Sequence, residues 1–161
     1  PGTGTALQAF QEFATSLNPK PLLLCYGGVG NGKTYLLEAT AIELYRRGIF
    51  VRVLRFFNIL SLMKVAMNNK EAVPSYEELL RGMCEASILL LDDVGSGSSD
   101  SKWAYTVLED VIGYRAERLM TAITTNRDPK ELPERVVSRS CDNTFASLVL
   151  NSGKDYRQKK V

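Results

Sequence analysis

Histidine is absent from these 161 residues, so imidazole-based acid/base and metal chemistry are excluded. Cysteine is nearly as scarce. Cys25, Cys84 and Cys141 are odd in number, isolated and without a CxxC spacing, which points to buried thiols in a reduced cytosolic environment. No apolar run approaches the length of a membrane span and no signal segment is visible, so a cytoplasmic chain with no membrane partner is expected. Internal repeats, low-complexity tracts and linkers are missing too, as is a strong charge imbalance. With 20 Lys and Arg against 18 Asp and Glu, a net charge of +2 neither demands nor excludes nucleic acid. The length is that of one domain, taken as residues 1–161. Its opening, Pro1-Gly2-Thr3-Gly4, lacks a methionine and reads as a fragment.

Against these absences stands one dense motif. The apolar run Pro21-Leu22-Leu23-Leu24-Cys25-Tyr26 reads as a buried strand and breaks into Gly27-Gly28-Val29-Gly30-Asn31-Gly32-Lys33-Thr34, followed by a helical pattern from Tyr35 to Arg47. Two glycines five apart, then Lys and a hydroxyl residue, fit a phosphate-binding loop. Glycines let successive backbone N–H groups turn inward as a donor nest for phosphate oxygens. Lys33 is placed to reach β- and γ-phosphates and Thr34 to put its hydroxyl on Mg²⁺, with the helix dipole aimed at the same anion. ATP and Mg²⁺ are the expected ligands.

Before the loop, Ala6, Leu7, Phe10, Phe13, Ala14 and Leu17 share one helical stripe, suited to the core or to a place beside the nucleotide base. After it, Leu36, Leu37, Thr40, Ala41, Leu44 and Tyr45 keep helical spacing up to Arg46-Arg47-Gly48, a cationic last turn with a glycine stop. Ile49 to Leu54 reads as a second strand and Phe56 to Met67 as a helix. Ser75-Tyr76-Glu77-Glu78 is a capping box for a helix to about Ala86. The run Ser87 to Val94 suits a strand buried on both faces that ends in Asp92 and Asp93. Paired acids there are costly unless they meet a cation or water. One could cap a helix. Downstream of a phosphate loop, Asp92 is better placed toward Mg²⁺ and Asp93 toward an attacking water. Adjacent strand residues point to opposite faces, so the two acids should divide the labour.

Gly95 to Ser101 reads as a polar, mobile loop, Trp103 to Arg118 as a helix and Leu119 to Thr125 as a fourth strand. Asn126 at its end suits either a turn former or a γ-phosphate sensor. Pro133 to Ser140 is a short helix with Arg135 and Arg139 on one face, and Thr144 to Leu150 a fifth strand. Strand–helix alternation predicts a three-layer α/β domain with a five-stranded parallel sheet and the ligand at the strand carboxyl ends.

In this order, Gly-Gly-Val-Gly-Asn-Gly-Lys-Thr-Tyr-Leu, Leu-Leu-Leu-Asp-Asp-Val-Gly and Thr-Thr-Asn resemble the AAA+ ATPases. Asp-Asp, Tyr114-Arg115, Glu131-Leu132 to Arg139 and Gly153-Lys154-Asp155-Tyr156-Arg157 narrow the resemblance to helicase loaders of the DnaC/DnaI type and IstB transposition ATPases. The resemblance implies a P-loop NTPase core whose nucleotide contacts include Gly28, Val29, Gly30, Asn31, Gly32, Lys33, Thr34 and Tyr35. Asp92 and Asp93 become Walker B and Asn126 sensor 1. Arg139 becomes the arginine finger with Arg135 beside it, and Arg157 a second sensor. It also implies that neither a C-terminal lid nor the loaders' N-terminal helicase-binding domain is present here.

The function expected is ATP hydrolysis that assembles or remodels a DNA-bound complex. The partner would be a replicative helicase, or a transposase in an IstB-like helper, with an ATP-dependent homo-oligomer as the working form. Lys64, Lys70 and the tail from Arg157 to Lys160 are candidate contacts for single-stranded DNA, though scattered basic residues usually mark a solvated face. A P-loop small-molecule kinase would need several arginines on a mobile lid, and the loop from Gly95 to Asp100 has none. A nucleotide-binding adaptor that never hydrolyses is left open, because Asp93 is one methylene shorter than Glu.

Overall fold

The computed structural model describes residues 4–16, 18–69, 71–97 and 101–156. Five strands form one parallel sheet: β1 (Leu22–Tyr26), β2 (Arg52–Arg55), β3 (Ile88–Val94), β4 (Met120–Thr125) and β5 (Ala146–Leu150), in the order β2-β3-β4-β1-β5. The helices are α1 (Gly4–Thr15), α2 (Lys33–Arg46), α3 (Phe56–Asn68), α4 (Tyr76–Cys84), α5 (Lys102–Arg115) and α6 (Glu134–Ser140), with a 3-10 turn at Pro129–Glu131. The three-layer parallel architecture expected from the sequence is the one observed.

Alternation along the strands divides the core in two. Leu22, Leu24, Leu89, Leu91 and Ile123 face the layer containing α3, α4, α5 and α6, whereas Leu23, Cys25, Leu90 and Ala122 face α1 and α2. Because both faces are covered, the central strands need apolar residues at every position, which explains their continuous hydrophobic runs. On α1 the stripe is core: Ala6, Phe10, Phe13 and Ala14 are buried, Leu7 is exposed and Leu17 lies outside the described residues.

Two boundaries move for physical reasons. β2 starts at Arg52 rather than Ile49 because the exit of α2 uses the intervening residues. The Gly48 N–H donates to Tyr45 O and the Ile49 N–H to Leu44 O, with Gly48 at φ +74°. β5 starts at Ala146 because Asp142 accepts from the Thr144 N–H and hydroxyl, closing a turn first. The capping box forms as expected, with Ser75 Oγ accepting from the Glu78 N–H and the Glu78 carboxylate from the Ser75 N–H.

Placing β4 between β1 and β3 positions the site. The phosphate loop leaves β1, the acids end β3, and Thr124, Thr125 and Asn126 emerge between them.

Candidate nucleotide site

The loop from Gly27 to Thr34 runs from β1 into α2, with Gly30 at φ +74° and Gly32 at +91°. A Cβ on Gly30 would collide with the Asp155 carboxylate, so the loop and the segment after β5 touch at the α-carbon. Lys33 is 6% exposed. Its ammonium donates to Gly27 O (2.9 Å), Gly28 O (2.7 Å) and Asn31 Oδ1 (3.0 Å), which holds the charge against the loop.

Asp92 is 5% exposed and is engaged by two hydroxyls. Thr34 Oγ1 lies 3.1 Å from each carboxylate oxygen, and Thr124 Oγ1 donates to Oδ1 at 2.6 Å. A hydroxyl on the phosphate-loop helix thus meets the carboxylate of a strand two positions away in the sheet.

The expected strand alternation fails at Asp93. Three steps on β3, from Leu91 to Val94, are matched by two on β4, from Ile123 to Thr125. One extra residue is accommodated as a bulge with Asp93 at φ +59°, a conformation that Asp tolerates better than most side chains. The Asp93 N–H then donates to Thr124 Oγ1 at 3.0 Å. Both acids consequently line the same cavity instead of opposite faces of the sheet. Their carboxylates have different hydrogen-bond partners, since that of Asp93 accepts from Asn126 Nδ2 (2.7 Å) and Ser96 Oγ (2.7 Å), whereas that of Asp92 accepts from Thr34 and Thr124.

The cavity holds about 570 Å³. Val29, Gly30, Asn31, Gly32, Lys33, Thr34 and Tyr35 line it together with Asp92, Asp93, Asn126, Thr124, Leu36 and Tyr156. Gly28 is not a lining residue; its carbonyl instead accepts from Lys33. No residue of α1 is among those lining this cavity. Arg135 and Arg139 on α6 do not line it either. Arg157, Lys70 and the tail beyond Tyr156 fall outside the described residues, as does the centre of the loop after β3. Lys64 lies 5.4 Å from the ring centroid of Trp103, a cation–π contact that gives it a packing role between α3 and α5.

Some residues of this region carry little or no local signal in the sequence. Thr124 bridges the two acids, and its only hint is the Thr-Thr before Asn126. Asn151 is fully buried and pairs with Asn31 across 120 positions, a contact that only folding creates. Arg55, in register with Asp92, lines a neighbouring cavity of about 400 Å³ that shares Thr34, Asp92 and Asp93.

The thiols are only partly as expected. Burial pushes Cys25 up to about 11 against the weaker opposing pull of Lys33, and burial also raises Cys84, so both stay protonated at neutral pH. Cys141, by contrast, is exposed. Among the described residues no helix is long and apolar enough to cross a membrane.

Comparison with known proteins bears on the fold and the family. The E. coli K12 replicative helicase loader DnaC is 30% identical over 118 residues, covering 70% of this chain and 47% of the relative. The chain therefore spans about half the length of that curated relative. A crystal structure of the DnaC helicase loader superposes with a TM-score of 0.76 at 26% identity, covering 94% of this chain and 90% of that one. Domain III of the Thermotoga maritima replication initiation protein DnaA shares the fold, with a TM-score of 0.76 at 24% identity over 94% of this chain and 63% of that one. The model of the IstB-like ATP binding proteins matches residues 13–151, and the chain, an α/β domain with the AAA+ sheet, belongs to that family.

Proposed function

We propose that residues 1–161 form a single ATPase domain that binds MgATP at the phosphate loop and hydrolyses it to assemble or remodel a DNA-bound complex. One observation carries the reading: Lys33, Thr34, Asp92, Asp93 and Asn126, drawn from three strand ends, converge on one cavity. Lys33 and the loop N–H groups hold the phosphates. Asp93, oriented by Asn126 and Ser96, accepts the proton of the attacking water. Among the described residues no cluster of three or more His, Cys, Asp or Glu side chains could hold a metal alone. One hydroxyl beside one buried carboxylate nevertheless suits Mg²⁺, which takes few protein ligands and completes its octahedron with phosphate and water. Mg²⁺ bound at Thr34 and Asp92 would neutralise charge developing on the phosphate oxygens.

Similarity to DnaC supports replicative helicase loading. The IstB-like family match supports a transposition helper as the alternative. Pull-down of the full-length protein separates them by whether a hexameric helicase or a transposase is recovered.

Lys33→Ala is expected to weaken ATP binding about a hundredfold in a folded protein, since it removes charge-assisted hydrogen bonds to the phosphates. Calorimetric titration checks this, and unchanged affinity would sink the site assignment. Asp93→Asn should retain ATP but lose about 10²-fold or more in turnover, because the amide preserves shape without accepting a proton. If phosphate release persists at the wild-type rate, Asp93 is not the base.

A further inference from the structure

We infer that Asn151 is a positioning residue of the nucleotide site: through Asn31 it holds the phosphate loop and the Lys33 ammonium in the arrangement that receives a triphosphate. The inference rests on reading this loop as a triphosphate site. Asn151 is the first residue after β5 and is 0% exposed, and Asn31 is 1% exposed. Their amides are reciprocal. Asn31 Nδ2 donates to Asn151 O at 2.6 Å, and Asn151 Nδ2 donates back to Asn31 O at 3.1 Å.

The remaining groups are tied down as well. Asn151 Oδ1 accepts from the Gly153 N–H at 3.2 Å, and the Asn151 N–H donates to Tyr26 O at 2.8 Å, so the residue is fixed to the strand from which the loop departs. Asn31 Oδ1 is thereby left facing Lys33 Nζ at 3.0 Å. A Cβ on Gly27 would collide with the Asn151 carbonyl oxygen. The start of the loop, its fifth residue and its lysine are therefore all referenced to one side chain and one carbonyl just beyond the adjacent edge strand.

Buried amides with both partners satisfied are specific, because removing one leaves the other's donor or acceptor orphaned. Without the Asn151 amide, the Asn31 backbone carbonyl loses its donor and the Gly153 N–H its acceptor, so the backbone on both sides of the pair loosens and Asn31, left with the Asn151 carbonyl as its partner there, shifts relative to Lys33. Asn151 itself does not line the cavity, so it acts through Asn31 and not by touching nucleotide.

The test uses the whole chain with Asn151→Ala and the nearly isosteric Asn151→Asp, which keeps shape but loses the donor to Asn31 O. The first readout is the side-chain ¹⁵N signal of Lys33 without nucleotide, assigned by its disappearance in Lys33→Arg. Three oxygen acceptors should slow its proton exchange in the wild type, and both variants should broaden or lose it. The second is affinity for ATP and for inorganic tripolyphosphate, expected to fall about tenfold or more for both in parallel. A folded variant with an unchanged Lys33 signal, or with affinities within about twofold of wild type, overturns the inference. Failure of both variants to fold also overturns it, making Asn151 a stability residue. If the wild type bound neither probe, the proposed function would fail, while the Lys33 signal would still decide whether Asn151 controls the ammonium.

Discussion

A mixture of Lys33→Ala and Arg139→Ala proteins should hydrolyse ATP although neither does so alone. α6 packs against α5, β5 and β1, and β5 forms the edge of the sheet. Arg139 is half-buried and Arg135 exposed one turn earlier. Neither lines the cavity that holds Lys33 and Asp93, and neither guanidinium has a hydrogen bond or ion pair among the described residues. Arg139 is therefore expected to act on the nucleotide of a second copy docked at this edge, since it does not line its own cavity. Delivered to the γ-phosphoryl group, such a charge is worth on the order of 10³-fold or more in rate. Turnover should rise with protein concentration or with a partner, while ATP binding by the domain should not. Arg139→Ala should bind normally and lose the assembly-dependent rate, and Lys33→Ala should supply the missing arginine in the mixture. Full activity of Arg139→Ala alone, or a rate independent of concentration and partner, would refute the shared site and restore the small-molecule kinase reading.

What the sequence discloses and what it conceals divide along a physical line. The phosphate loop, the capping box at Ser75, the doubly buried strand before Asp92 and the helix stop at Gly48 are local. Each is specified by residues within one turn or one strand of each other, so spacing suffices to find it. Asn126 is legible as one of two options, and folding adds its 2.7 Å contact to Asp93. The bulge at Asp93 is not legible, because the run of apolar residues before it looks the same whether or not β4 matches it step for step. Only the pairing of Leu91 with Ile123 and of Val94 with Thr125 creates the extra residue. The Asn31–Asn151 pair and the Thr124 bridge are concealed for the same reason, since strand order, which no periodicity reports, brings them together.

Arg115 is the extreme case, and its replacement should cost more stability than any other single change in the core. In the sequence it is marked only by the Tyr114-Arg115 pair that carries part of the family resemblance, with nothing to announce burial, yet it is 0% exposed. Its guanidinium donates to Thr121 Oγ1 (2.8 Å) and to the carbonyls of Met83 (2.9 Å), Cys84 (2.9 Å), Ala86 (2.6 Å) and Met120 (2.7 Å). No carboxylate is among these partners. Instead the positive charge meets the uncapped, partially negative end of α4, so one side chain closes α4, α5 and the start of β4 together. Burial lowers its pKa to about 10, still well above neutrality. Because the folded value lies below the unfolded one, the unfolded chain binds the proton more tightly. Arg115 therefore adds no loss of stability as pH rises from neutral toward 10. Arg115→Leu orphans several buried carbonyls at once and should destabilise by about 3–5 kcal/mol, a large part of a typical domain's margin. Arg115→Lys keeps the charge but not the planar fork, so it should recover only part of that loss. Urea unfolding gives both values. Since these contacts lie at the amino ends of β3 and β4, away from the phosphate loop, the folded fraction of Arg115→Lys should bind ATP as tightly as wild type. A loss below about 1 kcal/mol for Arg115→Leu would show that the carbonyls find water or other donors, and that this buried charge does not hold the layer together.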